Sequence, residues 1–330
     1  MDPSLYKDLK TSRGLNYHYY YSPASDGKPT VLFLHGYPST SYDWHYQVDF
    51  FKPKGFGVLV PDMLGYGGTD KPLDEKLYRI KLMADDLTDI LDAEKLDRVI
   101  VIGHDWGSGV VNRLVYYKPE RFVAYGFLAL SYNPPPQKFD YEAILAMAEK
   151  FVGYVNFGYW KFLAEESQLV NDHIDSFLNI VFPEDPSIWK THIGPVGAIK
   201  AWLLADRKEG NGPSYLPQEE LQKIKENLLK GGLEAPGCWY GAMIHHHTPN
   251  DDKEISPSQY EIKAPVFFGA ALKDYVCIPA LGKLSIQQWC KNATIVDFDT
   301  DHWIMLAAPD KLNTELLKWI EGLEEVKGKL

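Results

Sequence analysis

The stretch VIVIGHDWGSG, residues 99–109, restricts the fold more than any other part of the chain. Val99 to Ile102 is a continuous apolar run of the kind found in strands buried on both faces of a parallel sheet. It enters Gly103-His104-Asp105-Trp106-Gly107 and passes directly into SGVVNRLVYYKPE, a helix candidate. Glycines two residues to either side of Asp105 permit a sharp strand-to-helix turn where a Cβ would not fit. Such a turn lifts its central side chain above the carboxyl edge of the sheet, where open α/β folds bind ligands. A G-x-S-x-G turn carries a serine nucleophile there; this chain carries aspartate. Asp105 could instead cap the helix, and the turn alone leaves the two alternatives even.

The remaining runs supply a sheet for that turn. TVLFLHG (30–36), GVLVPD (57–62), RVIVIGHD (98–105) and VAYGFLALS (123–131) are apolar and β-rich. LYRIKLMADDLTDILDAEKL lies between the second and third, with Ile80, Ala84, Leu87, Ile90 and Leu91 at helical spacing. This order predicts an open α/β sheet. LNYHYYYS (15–22) alternates weakly and is expected as an antiparallel edge strand. After Ser131 comes a proline-rich break, YNPPPQ, followed by helices and long loops. Sheet-like runs resume at APVFFGA (264–270) and ATIVDFD (293–299), and PDKLNTELLKWIEGLEEV closes the chain as a helix with Leu312, Leu316, Leu317, Ile320 and Leu323 on one face. The expected division is a core of 1–133 and 263–330 with a helical insertion at 134–262.

Composition removes several classes of function. The 330 residues suit one large α/β domain with an insertion, and 45% hydrophobic with 24% charged residues is ordinary globular composition. A net charge of -11 leaves no basic surplus to neutralise phosphates, which argues against nucleic acid. No apolar run approaches the ~18 residues of a membrane span, and MDPSLYKDLKT has no signal-like apolar stretch. Cys238, Cys277 and Cys290 are widely spaced and odd in number, so a reducing, cytoplasmic setting is expected rather than a disulfide framework or metal site. The terminal GKL resembles the peroxisomal S-K-L with glycine in its first place. His245-His246-His247 cannot share one face of a regular helix, and Glu219-Glu220 and Asp251-Asp252 are expected as solvated surface. No G-x-G-x-x-G or phosphate-loop pattern occurs, and no cofactor or metal is expected.

Partners for Asp105 appear in the order nucleophile, acid, histidine that such folds use. Asp274 ends one late strand in VFFGAALKDYV, and His302 follows the last one in DFDTDHWIMLAAP. Alone, His302 reads as a loop histidine and Asp274 as a turn residue. Together, all three at strand ends, they read as a triad. LFLHGYPSTSYDW adds His35-Gly36-Tyr37-Pro38 after the first central strand, which would supply one of two oxyanion-hole N–H groups, Tyr37 and Trp106.

HGYP, VPDMLGYGGTDKP, GHDWGSG and DHW together resemble the α/β-hydrolase-type epoxide hydrolases, from about Thr30 to the C-terminal helix. The resemblance implies an α/β-hydrolase core with a helical cap, Asp105 as nucleophile, His302 as base and Asp274 as its orienting acid. It implies a cis peptide before Pro38, and two cap tyrosines that bind the epoxide oxygen. Tyr159 in NFGYWKFLAEE and Tyr240 in GCWYGAM stand in similar contexts, with Tyr154 in reserve and Trp106 beside the substrate. Asp301 departs from the family, many of whose members have glycine before the histidine. The expected partners are an epoxide and water. Two other functions remain at this point: a dehalogenase, which also alkylates aspartate and could hold halide with Trp106, and a non-catalytic receptor on the same fold.

Overall fold

A computed structural model describes residues 1–25 and 27–323. The GKL tripeptide and the last residues of the expected closing helix lie outside the described residues. Eight strands form one sheet in the order β1-β2-β4-β3-β5-β6-β7-β8. They are β1 (Tyr6–Lys10), β2 (Asn16–Ser22), β3 (Thr30–Leu34), β4 (Gly57–Pro61), β5 (Val99–His104), β6 (Phe122–Leu128), β7 (Ile262–Ala271) and β8 (Cys290–Phe298). From β4 to β8 every pairing is parallel, whereas β2 runs antiparallel to both β1 and β4. The continuous apolar runs became the central strands because both faces are covered: β3, β4, β5 and β6 are buried at every position.

The expectation for LNYHYYYS needs correction. β2 is antiparallel but internal, and the edge is β1, whose exposed, polar YKDLK gives no alternating signal. The amphipathic segment forms the helix Ile80–Ala93, with Ile80, Ala84, Leu87, Ile90 and Leu91 buried. The closing helix runs Pro309–Glu321 and buries Leu312, Leu316 and Ile320.

Between β6 and β7 the described residues contain helices and turns and no strand, from Tyr141–Val152 to His247–Asp252. These helices form an inserted cap with apolar contacts of its own, among them Phe177, Leu178, Ile199, Trp202 and Leu203. Cap and core are joined by charge as well as packing. Arg113 donates to both oxygens of Asp252 at 2.8 and 2.9 Å, and Arg79 pairs with Asp251 at 3.1 Å. This corrects the expectation of a solvated acidic pair, since Asp252 is buried. Glu220 is also partly buried, accepting from Tyr42 Oη at 2.9 Å, while Glu219 stays exposed. The histidine run is divided by backbone conformation. His246 is left-handed at φ 62°, and its neighbours His245 and His247 both bond Glu75, at 2.7 and 2.8 Å. Among the described residues no helix is long and apolar enough to cross a membrane.

Candidate active site

β5 delivers Asp105 at its carboxyl end, directly before the helix Trp106–Tyr117. Asp105 has φ 52° and ψ −123°, a conformation costly for a residue with a Cβ, of order 1–3 kcal/mol. Its side chain makes no capping bond to the helix, so the alternative role raised by the sequence is not the one adopted. The turn depends on glycine: a Cβ on Gly107 would run into the carbonyls of Leu34 and His35. One on Gly36 would strike the Asp105 side chain and the Trp106 nitrogen. Close approach of the two loops is therefore what Gly36 permits.

That approach brings the Tyr37 N–H to 2.9 Å from Asp105 Oδ1. The Trp106 N–H, facing Gly36, opens a helix, where the first N–H groups have no intrahelical partner. The Tyr37-Pro38 peptide is cis. Asp62 fixes the surrounding loops, accepting from Ser41 N–H and Gly68 N–H, each at 2.9 Å. His35 Nε2 accepts from Met63 N–H at 2.9 Å.

The loops after β7 and β8 supply the other two groups. His302 Nδ1 is 2.6 Å from Asp274 Oδ2, and its Nε2 is 3.4 Å from Asp105 Oδ2. Asp274 Oδ1 accepts from the N–H groups of Val276 and Cys277 at 2.8 and 2.9 Å, which fixes the carboxylate's orientation. Burial disfavours the imidazolium of His302, but the Asp274 charge and the bond to Asp105 outweigh it and hold the ring well above the ordinary 6.5. Burial likewise raises Asp105, yet the His302 bond and charge prevail and leave it below the usual carboxylate range. The resting pair is an ion pair.

His104 and Asp301 extend this arrangement. Burial pushes His104 down to about 3, so it stays neutral, and its Nε2–H donates to the His302 carbonyl at 2.9 Å. Asp301, the departure from the resembling family, accepts from Tyr215 of the cap at 2.6 Å and from the Trp303 N–H at 3.1 Å. It ties the histidine loop to the cap.

Two cavities, of about 320 and 50 Å³, meet at Asp105, Tyr159 and Val276. Trp106 and Cys277 line the larger; Tyr37, Tyr240 and His302 line the smaller. The Tyr159 and Tyr240 rings stand 5.8 Å apart, edge to face. Burial pushes both phenols well above their ordinary value of 10, and neighbouring acids and phenols add to the shift, so both remain protonated donors. Tyr154 lines neither cavity; its hydroxyl donates to the Tyr275 carbonyl at 2.8 Å. Cys277, expected only as one of three widely spaced cysteines, also stands at the site. Its thiol, the Asp274 carboxylate and a His302 nitrogen lie within 4.8 Å of one another, and burial pushes the thiol up to about 12. The signal was its place three residues after Asp274.

An aspartate on a strained strand-to-helix turn, a buried acid–histidine pair and a helical cap over a parallel sheet define a hydrolase of the α/β type. The chain matches the α/β hydrolase fold family over residues 29–309 and belongs to it. Among curated relatives, "Epoxide hydrolase srdG" of Neurospora crassa is 27% identical over 326 residues, covering 92% of this chain and 91% of that protein. "Bifunctional epoxide hydrolase 2" of Sus scrofa is 26% identical over 299 residues, covering 89% of this chain and 51% of that protein. The chain thus spans about half the length of the pig relative, as it does of the rat and mouse ones, at 52% each. The solved structure of Epoxide Hydrolase A from Mycobacterium thermoresistibile superposes with a TM-score of 0.79 at 24% identity, covering 97% and 98% of the two chains.

Proposed function

We propose that the protein hydrolyses epoxides to vicinal diols through a covalent ester on Asp105, with residues 134–262 acting as the cap over the site. The observation that carries this reading is that two protonated phenols, Tyr159 and Tyr240, share a cavity with Asp105 and His302. An epoxide has no carbonyl for an oxyanion hole to polarise in the first step. It needs a nucleophile behind one carbon and proton donors at the departing oxygen. Similarity to proteins named epoxide hydrolases supports the same substrate class.

Asp105 Oδ1 is already bonded to the Tyr37 N–H, so Oδ2 attacks. The new C–Oδ2 bond forms as the epoxide C–O bond breaks, and the oxygen takes a proton from the tyrosine pair. Esterification removes the Asp105 charge, one of the groups that hold a proton on His302. That proton passes to the phenolate, and His302 becomes a neutral base. It then takes a proton from water, whose oxygen attacks the Asp105 carbonyl carbon. Negative charge develops on Oδ1, where the Tyr37 and Trp106 N–H groups stabilise it. Collapse breaks the bond between the carbonyl carbon and Oδ2, which takes the proton from His302 as the diol departs carrying Oδ2. The new Asp105 carboxyl then gives its proton to His302 and restores the ion pair. Asp274 holds the ring and supports its charge throughout.

The three free cysteines suit a reducing compartment, and we take the setting to be cytoplasmic. The discriminating assay incubates the protein with a chromogenic styrene-oxide-type epoxide and, separately, a panel of chloroalkanes. Diol from the epoxide without halide release is expected. Halide release alone would favour a dehalogenase, and no turnover of either would favour a receptor.

A further inference from the structure

We infer that the protein selects epoxides with one large, uncharged apolar substituent, the other ring carbon bearing hydrogen or a short group. This rests on the epoxide-opening reading and specifies which epoxides the site admits. Asp105 stands at the junction of two unequal cavities. A dry cavity of roughly 150 Å³ is enough for one benzene ring. The larger cavity, at about 320 Å³, has twice that room, and the smaller, at about 50 Å³, has a third of it.

The small cavity is not cheaply enlarged. Leu163, Phe177 and Ile199 on its wall are each 1% exposed and belong to the packed interior of the cap. Close-packed interiors resist such growth. His302 also borders this cavity, so the water it activates must fit there beside the ester. A bulky second substituent would be excluded twice, by the wall and by the need for that water.

The large cavity differs in both size and chemistry. Leu281 on its wall is 50% exposed, which marks the side open to solvent. Apart from Asp105, Arg113 is the charged residue lining it, and its guanidinium is occupied by Asp252 through two bonds. Asn112, also on the wall, donates to the carbonyls of Ser108 and Ser131 and accepts from the Asn133 N–H. A carboxylate tail would meet a neutralised arginine and the negative Asp105. An aryl or alkyl group meets Trp106, Phe157 and Trp160.

The test measures kcat/KM for styrene oxide, trans-stilbene oxide and styrene oxide carrying a para-carboxylate. Styrene oxide should exceed trans-stilbene oxide by about 100-fold and its carboxylated form by about 10-fold, within the range that pocket fit gives. Ile199→Ala and Leu163→Ala, each checked for folding by near-UV circular dichroism, should lower the styrene-to-stilbene ratio by about 10-fold. Comparable turnover of styrene and stilbene oxides by the wild type, or a ratio unmoved in a folded variant, overturns the assignment of the cavities while leaving epoxide opening intact. Equal turnover of the carboxylated substrate overturns the requirement for an uncharged substituent. No turnover of any of the three epoxides defeats the catalytic reading itself, and the selectivity with it.

Discussion

His302 Nε2 faces Asp105 Oδ2 at 3.4 Å, a long contact between two groups of opposite charge. The same ring is bound far more closely on its other side, 2.6 Å from Asp274. A nucleophile that kept a short, strong bond to its future base would be less available to attack carbon. The unequal spacing keeps the pair charged and leaves the Oδ2 lone pair accessible.

His302→Gln should uncouple the two half-reactions. Alkylation needs no base, so intact-mass spectrometry of the variant treated with styrene oxide should show a stable adduct, mapped to Asp105. Turnover should fall by about 10²–10⁴, the usual contribution of a general base. Multiple turnovers at the wild-type rate would remove His302 from that role.

In water enriched with ¹⁸O, a single turnover should leave the diol unlabelled and put the label in Asp105. The diol oxygen comes from Oδ2, and water replaces it only when the ester is cleaved. Diol labelled in the first turnover would mean direct attack by water and no ester.

Tyr159→Phe and Tyr240→Phe should each slow alkylation by about 10²–10³, as loss of one donor to a developing oxyanion does elsewhere. Stopped-flow tryptophan fluorescence isolates this step. The double variant should lose nearly all activity, and the two effects need not add because both phenols serve one atom. A folded double variant alkylating at the wild-type rate would make these residues packing alone.

Stability should respond to pH through the His302–Asp105 pair in opposite senses. The folded state holds His302 above its ordinary 6.5. Its contribution is therefore complete below the unfolded value and is lost as pH rises through the higher folded value. Asp105 is depressed below 3.8, so its contribution is complete above that value and disappears as pH falls through the lower folded one. Urea melts of wild type and His302→Gln should converge as pH is raised above 6.5. A gap that widened with pH would contradict the charged resting state.

Arg113→Ala should destabilise the fold by about 3–5 kcal/mol by stranding the Asp252 carboxylate in the interior. Replacing both residues, Arg113→Met with Asp252→Leu, should cost less than the single change. Chemical denaturation checks both. A double variant as unstable as the sum of its single changes would show the pair to be uncoupled.

The parts of this site that were legible in sequence share one physical origin. Asp105, Asp274 and His302 each follow the carboxyl end of a strand that contains an apolar run. That run is buried throughout in β5 and over 266–271 in β7, and is readable at ATIVDFD in β8 although that edge strand is largely exposed. Tyr159 and Tyr240 sit on cap helices with no such punctuation, and resemblance alone distinguished them from the chain's 21 tyrosines. Asp252 looked like surface because its partner, Arg113, is 139 residues away in sequence. β1 went unread because an exposed edge strand needs no apolar face. The two unequal cavities arise where separate elements meet, and no local spacing encodes them.

β6 pairs directly with β7, Tyr125 opposite Val266 through Leu128 opposite Gly269, although the whole cap lies between them in sequence. The sheet's own hydrogen bonding therefore makes no demand on what the cap contains. Mutation can reshape the cap while the strands that present Asp105, Asp274 and His302 keep their register. Since Tyr159 and Tyr240 belong to the cap, the groups we propose as proton donors to the epoxide oxygen sit in the part freest to diverge. On such a scaffold, a descendant could exchange one leaving group for another, and one substrate shape for another, without rebuilding its nucleophile.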